Sequence, residues 1–255
     1  MDPDSFQTAD RARTPSLPPP PSLATMDHPS LFLDFDGTLV DLAPQPDAIR
    51  VAPHLISLLE SVGRRLQGRL AIVSGRALAD LDHYLPAPAL TLSGSHGSEL
   101  RLAAAPANAP SAATFPKAAH LEALAFAAAH GVFVEAKPLG FALHYRQAPD
   151  AGGAVQAFAD TLGGRHGLAV KTGKMVTELM PPGIDKGKIV ATLMAMPAFR
   201  NTTPVFIGDD VTDEDGFGAA SAAGGFGVLV GAHRPTAAGA ALPDVAAVHA
   251  WLGAL

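Results

Sequence analysis

Short apolar runs alternate with amphipathic stretches along most of this chain. Leu31–Phe35 reads as a buried strand, and Gly37 permits a tight turn directly after it. In His54–Leu66 the apolar residues Leu55, Leu58, Leu59, Val62 and Leu66 share one helical face. Leu70–Val73 predicts a second strand, Ala77–Tyr84 a short helix and Ala89–Leu92 a third strand. The following GSHGSELRL suits a hairpin. Pro204–Ile207 and Gly227–Val230 predict further strands, with helices between and around them. Strands that alternate with helices imply an α/β fold with a Rossmann-like parallel sheet.

The middle breaks this rhythm. After a loop at Ala103–Ala113 the pattern predicts a helix at Lys117–His130, then strands Val132–Ala136 and Phe141–Tyr145 joined by a turn with Pro138 and Gly140. A second helix, Ala151–Leu162, leads to strands Leu168–Lys171 and Met175–Leu179. The order αββαββ suits a small sheet with two helices on one face, an α+β unit inserted into the larger domain. The expected organisation is a tail at 1–29, a core at 30–112, the insert at 113–180, and the rest of the core at 181–255.

Composition narrows the classes. The chain has 255 residues, of which 48% are hydrophobic, ample for a packed core. Net charge is −6 and lysines and arginines form no runs, so no nucleic-acid partner is expected. Cysteine is absent, which excludes disulfides and thiolate metal sites. No apolar run approaches the ~18 residues of a membrane span, so no membrane partner is expected. A cytoplasmic monomer acting on a small molecule is the expectation. The segment before Ser30 carries the run Pro18–Pro21 without apolar periodicity and reads as a disordered tail, with a docking role for the prolines as the alternative.

Four features carry chemistry. Asp34 and Asp36 end the first strand, at i and i+2, on one face of the carboxyl edge where open α/β sheets bind ligands. Two close carboxylates repel by ~4 kcal/mol at an effective dielectric of about 20, so a cation or a shared proton is needed. A structural Asp-Gly turn with solvated acids is the plain alternative. An EF-hand fails: with Gly37 at the loop glycine, the first ligand would be Phe32 and the closing glutamate Ala43. In FIGDDVTDED a second strand ends in acids, Asp209, Asp210 and Asp213. They suit a Mg²⁺ site, or simply a helix N-terminus. In AIVSGRAL, Ser74 follows a strand and precedes a helix, which suits an N-cap, a phosphate contact, or both. In GIDKGKIV, Lys186 and Lys188 sit where a helix begins, an unfavourable place for a cation that favours a task for one of them, with Lys186 the better candidate.

These elements, in this order, resemble the haloacid dehalogenase-like phosphatases: DFDGT at Asp34–Thr38, then Ser74, Lys186 and GDDVTD at Gly208–Asp213. The insert lies where that superfamily places its larger, C2-type cap. With EAKPLGFALHYR at Glu135–Arg146, GKMVTE at Gly173–Glu178 and GSHGSE at Gly94–Glu99, the chain from Ser30 onward is similar to the trehalose-6-phosphate phosphatases. It departs from their pattern at Gly140, often a hydroxyl residue, and at Met180, often Arg. The resemblance implies Asp34 as nucleophile and Asp36 as acid and base. It implies Mg²⁺ held by Asp34, Asp36 (through its carbonyl) and Asp209, with Asp210 and Asp213 in support. Ser74 and Lys186 would bind the phosphate, with Gly75 beside them. Glu135, Lys137, Arg146, Lys174 and Glu178 would contact the sugar, although the same charges also suit cross-strand ion pairs on an exposed sheet face. His96 and Glu99 are expected to line the cleft between core and cap. Tyr145 and Trp251 are expected to pack into cores, and hinges are expected near Ala103–Ala113 and Pro181–Gly183. A phosphatase or phosphomutase for another sugar phosphate is the related alternative. A silent sugar-phosphate sensor is disfavoured, because every expected catalytic residue is present.

Overall fold

The computed structural model describes residues 17–87, 89–103, 116–137 and 139–255. In chain order the core begins β1 (Pro29–Leu33), α1 (Leu55–Arg65), β2 (Leu70–Val73), α2 (Leu78–Tyr84), β3 (Thr91–Gly94) and β4 (Glu99–Arg101). The inserted unit follows: α3 (Lys117–His130), β5 (Phe133–Lys137), β6 (Gly140–His144), α4 (Gly152–His166), β7 (Ala169–Gly173) and β8 (Val176–Met180). The core resumes with α5 (Lys186–Met194), β9 (Thr203–Gly208), α6 (Glu214–Ala222), β10 (Phe226–Val230), β11 (Ala240–Leu242) and α7 (Val245–Gly253).

The core strands form one seven-stranded sheet in the order β11-β10-β9-β1-β2-β3-β4. All neighbours are parallel except β4, which runs antiparallel to β3. Alternation sorts the side chains. Leu31, Leu33, Ile72, Val205 and Ile207 pack on one face with α1 and α7, and Phe32, Val73 and Phe206 on the other with α5 and α6. Both faces are covered, which is why these strands read as continuous apolar runs. The chain leaves β1 on one side toward β2 and returns on the other through β9, so the order reverses at β1. The carboxyl ends at such a reversal form the crevice where α/β sheets bind ligands.

The inserted strands make an antiparallel sheet, β5-β6-β8-β7. Phe141, Leu143 and Leu179 pack under α3 and α4 with Ala123, Val155 and Leu162, and Tyr145 joins that cluster. Period-two alternation turns Glu135, Lys137 and Glu178 to the other face.

Several expectations need correction. Residues 17–29 are not an unstructured tail. Leu23 is buried, the Ala241 amide donates to the Pro18 carbonyl at 2.9 Å, and the Trp251 indole Nε1–H donates to the Pro21 carbonyl at 2.9 Å. Prolines lack an amide donor but keep their carbonyls, so an extended Pro segment can dock by accepting. Residues 1–16, most of the loop expected at 103–113, and Pro138 lie outside the described residues. β3 lies two residues later than expected, and β11 carried no sequence signal. Among the described residues no helix is long and apolar enough to cross a membrane.

Candidate active site

Four strand ends and one helix start converge at the carboxyl edge. Asp34 follows β1, and its amide donates to the Ile207 carbonyl of β9 at 2.9 Å, fixing the backbone from which the carboxylate projects. The chain then turns at Gly37, whose φ of +80° suits glycine. A Cβ there would collide with the Asp209 carboxylate, so the bare backbone lets the acid loop after β9 close over the one after β1. Carboxylate oxygens of Asp34, Asp209 and Asp213 lie within 4.8 Å of one another. Lys186, the first residue of α5, buries its ammonium between two of them and donates to Asp34 Oδ1 and Asp213 Oδ1, each at 2.6 Å.

Charge is unbalanced here. Burial first, then Asp213, push the Asp34 carboxyl well above the usual range, against the pull of Lys186. Burial, Asp213 and Asp210 push Asp209 up to about 7. Burial works against the charged form of Lys186, but Asp213 and Asp34 outweigh it and raise its pKa. One ammonium faces three carboxylates, and the donors are all oxygens. Such a set fits a hard divalent cation.

Asp36, expected at the metal only through its main-chain carbonyl, and Asp210, expected in support, turn their carboxylates elsewhere. Asp36 takes a two-pronged hydrogen bond from Arg76, with Nε and Nη2 each at 2.6 Å. Arg76 is itself held over the Tyr84 ring, 5.1 Å from its centroid, and near Phe35 at 5.8 Å. Asp210 caps the turn Val211–Asp213, accepting from the Val211 amide at 2.7 Å, while its own amide donates to Asp213 Oδ2 at 2.9 Å. Of the two acids expected in support, Asp213 joins the cluster and Asp210 does not. Ser74, at the end of β2, has a hydroxyl that accepts from the Arg76 amide at 3.1 Å.

The inserted sheet faces this edge. Lys137 donates to Glu178 Oε1 and, at 3.2 Å, to the Gly75 carbonyl. His96 Nε2 lies 2.5 Å from Glu178 Oε2. A Cβ at Gly75 would stand 2.7 Å from that imidazole, so the glycine makes room for it. His144 Nε2 bonds Glu135 Oε2 at 2.8 Å, and Arg146 donates to the Ala43 carbonyl. Burial works to raise the Glu178 pKa, but His96 and Lys137 outweigh it and hold the carboxyl below the usual range. Burial lowers the His96 pKa.

A cleft of about 690 Å³ lies between the two sheets. Of the candidates, Asp34, Asp36, Ser74, Gly75, His96, Glu135, Lys137, Arg146, Lys174, Glu178, Lys186, Asp209 and Asp210 line it, and the fully buried Asp213 does not. Nor does Glu99. It is buried behind the cleft, accepting from the Ser95 hydroxyl and the Leu78 amide. Gly140 and Met180 are also absent from the wall. Sequence reasoning missed Arg76, Tyr84 and Phe133, which do line it. Arg76 had a signal, standing two residues after Ser74 in SGR. Phe133 had one too, two residues before Glu135 on the same strand face.

The family model described as trehalose-phosphatase matches residues 32–245, a span that holds every one of these wall residues. The chain belongs to the trehalose-phosphatase family. It is 35% identical over 225 residues to the trehalose-6-phosphate phosphatase of Escherichia coli strain K12, covering 87% of this chain and 84% of that one. It is 36% identical over 231 residues to the probable trehalose-phosphate phosphatase of Sinorhizobium fredii, covering 89% and 86%. Among solved structures, the C-terminal domain of the C. albicans trehalose-6-phosphate phosphatase superposes with a TM-score of 0.78 at 23% identity, covering 89% of this chain and 91% of that one. That likeness concerns the fold, and it extends over both sheets. For a member of this phosphatase family, a cleft with an acid cluster on one wall and a polar sheet on the other is the place for a phosphate ester.

Proposed function

We propose that this chain hydrolyses trehalose 6-phosphate to trehalose and phosphate, the last step of trehalose synthesis. The observation that carries the reading is the single cleft with two chemically distinct walls. One holds Asp34, Lys186 and Asp209 at the core sheet edge, and the other holds Glu135, Lys137 and Glu178 on the inserted sheet. Its volume of about 690 Å³ is suited to a disaccharide phosphate.

In this reading Asp34 attacks phosphorus, forming an aspartyl phosphate as the P–O bond to the sugar breaks. Asp36 protonates the departing sugar oxygen, then takes a proton from the water that hydrolyses the intermediate. Asp36 must leave Arg76 or share it to do so. Arg76 then faces the phosphoryl oxygens as a planar, two-pronged donor. Lys186 and Ser74 hold the same oxygens. Asp34, Asp209 and Asp213, with the Asp36 carbonyl, would hold Mg²⁺, which when bound supplies positive charge against the carboxylate–phosphate repulsion. The inserted sheet acts as a cap, whose Glu135, Lys137, Arg146, Lys174 and Glu178 donate to and accept from the sugar hydroxyls. The proposal includes a cytoplasmic monomer.

Phosphate release from a panel of sugar phosphates with Mg²⁺ tests the reading. Trehalose 6-phosphate should be turned over fastest, and faster release from glucose 6-phosphate or sucrose 6-phosphate would sink the substrate. Asp34→Asn should cut release by at least about a thousandfold while the protein stays folded. Activity that survived this change would remove the covalent route.

A further inference from the structure

The motif GSHGSE at Gly94–Glu99 contributes His96 to the cleft but leaves its glutamate without a part in the reaction. Glu99 is 9% exposed, and one oxygen, Oε2, accepts two hydrogen bonds, from the Ser95 hydroxyl at 2.7 Å and from the Leu78 amide at 3.0 Å. Both donors are informative. Leu78 opens α2, and the residue at the cap position, Ala77, has no side chain that can accept. Glu99 therefore caps α2 from another strand. Ser95 opens a left-handed turn in which Ser95, His96 and Gly97 have φ of 47°, 57° and 108°. Side-chain-bearing residues adopt this conformation rarely, and two in succession need an external hold.

The turn has a purpose visible in its amides. The Ser95 N–H donates to the Arg76 carbonyl at 2.7 Å and the His96 N–H to the Ser74 carbonyl at 2.9 Å. These two bonds grip both ends of Ser74-Gly75-Arg76. Glu99 touches both anchors of the loop: α2, into which the loop runs, and the turn that grips it.

We propose that Glu99 is a positioning residue. Its carboxylate locks the Ser95–His96 turn to the start of α2 and thereby sets the Ser74–Arg76 loop for the phosphoryl group. The inference rests on the reading of that loop as a phosphate contact. It makes a distinct statement: the effect of Glu99 travels through phosphate recognition and is indifferent to the sugar.

The test compares wild type with Glu99→Ala, Glu99→Gln and Ser95→Ala, measuring inhibition by inorganic phosphate, kcat/KM on trehalose 6-phosphate and on p-nitrophenyl phosphate, and Tm. Glu99→Ala should raise the inhibition constant of phosphate by ~tenfold or more, the scale set by a lost charge-assisted hydrogen bond. It should lower kcat/KM on both substrates by similar factors. Glu99→Gln keeps an acceptor oxygen and should recover to within about threefold of wild type, which a purely electrostatic role would not allow. Ser95→Ala removes one of the two bonds and should show the same pattern at smaller size. A phosphate inhibition constant within about twofold of wild type in both alanine variants overturns the proposal, as does a loss confined to the sugar substrate. If Glu99→Ala fails to fold, Ser95→Ala decides alone, and an unchanged phosphate constant there overturns it. If wild type itself hydrolyses neither ester, the functional reading has failed. Calorimetric binding of inorganic phosphate to the same proteins then still decides the part assigned to Glu99.

Discussion

Lys186 is the residue on which the charge of the site turns. Its ammonium is buried against Asp34 and Asp213, with Asp209 beside them. Removing one member of a buried ionic group leaves the others uncompensated, which costs about 3–5 kcal/mol. Lys186→Met should therefore abolish activity and lower unfolding free energy by about that amount at pH 8, with a smaller loss at pH 5, where the orphaned acids protonate. Urea unfolding at the two pH values checks this, and an equal loss at both would contradict it. Asp209 gives a second handle. Its folded pKa of about 7 stands above the ordinary 3.8, so between those values the folded state holds a proton that the unfolded state lacks. Stability contributed through Asp209 therefore falls as pH rises across that window. Glu178 acts in the opposite sense: its folded pKa lies below 4.5, so its contribution is complete above 4.5 and is lost as pH falls. In EDTA the Tm should pass through a maximum near pH 5, decline toward pH 8, and recover at pH 8 when Mg²⁺ is added. Asp209→Asn should flatten the decline.

On the inserted sheet, β5, β6 and β8 present a polar stripe whose members are spaced by strand geometry. Glu135, Ala142, Glu178 and Lys171 lie side by side in register, with Lys137 one pleat closer to the catalytic edge. Substitution on this stripe should separate sugar from phosphate. Glu178→Gln keeps the shape but withdraws the charge that Lys137 and His96 face. It should lower kcat/KM for trehalose 6-phosphate by about a hundredfold and that for p-nitrophenyl phosphate by less than about threefold. Equal losses on both esters would deny the stripe a part in specificity. Much at this scale was legible in the sequence. α3 and β2 have the bounds the pattern predicted, and β5 runs one residue later than expected, which brings Lys137 into the strand. What was not legible has physical causes. Whether Asp210 or Asp213 joins the acid cluster is decided by a single 3₁₀ turn, which commits Asp210 to capping. The Arg76–Asp36 pair is a contact 40 residues apart that no spacing announces. β11 is three residues, two of them alanine, and exists because β10 offers it an edge. Glu99 shares a motif with His96, yet His96 lines the cleft while Glu99 turns to Ser95 and Leu78.

Across the whole molecule, the two sheets meet through bonds of unequal weight. Lys171 and Asp215 pair at 3.0 Å on the outside, where solvent leaves such pairs worth ~0–1 kcal/mol. His96–Glu178 and Lys137–Gly75 are buried inside the cleft, on groups that the sugar is proposed to engage, so substrate would replace the inner contacts and leave the outer ones as a guide. The same molecule-wide view gives residues 17–25 a task that composition concealed. They run from the β11 edge to α7 and fasten the core with Leu23, the Pro18 carbonyl and the Pro21 carbonyl. Burying one leucine contributes about 1.5–3 kcal/mol and each hydrogen bond roughly 0.5–1.5. Deleting residues 1–25 should thus lower Tm by several degrees, since about 1 kcal/mol shifts a domain of this size by roughly 2–4 °C. Trp251 is the only tryptophan, so it reports the change directly. Without the Pro21 carbonyl its indole loses its hydrogen-bond acceptor and gains water, and its emission should shift to the red. The cleft lies at the carboxyl edge of the sheet and, among the described residues, is lined by none of 17–25, so kcat/KM measured well below the lowered Tm should stay within about twofold of the full chain. A truncated protein with unchanged Tm and unchanged emission would show that the segment does not dock in solution. A large loss of activity at full stability would tie it to the cleft instead.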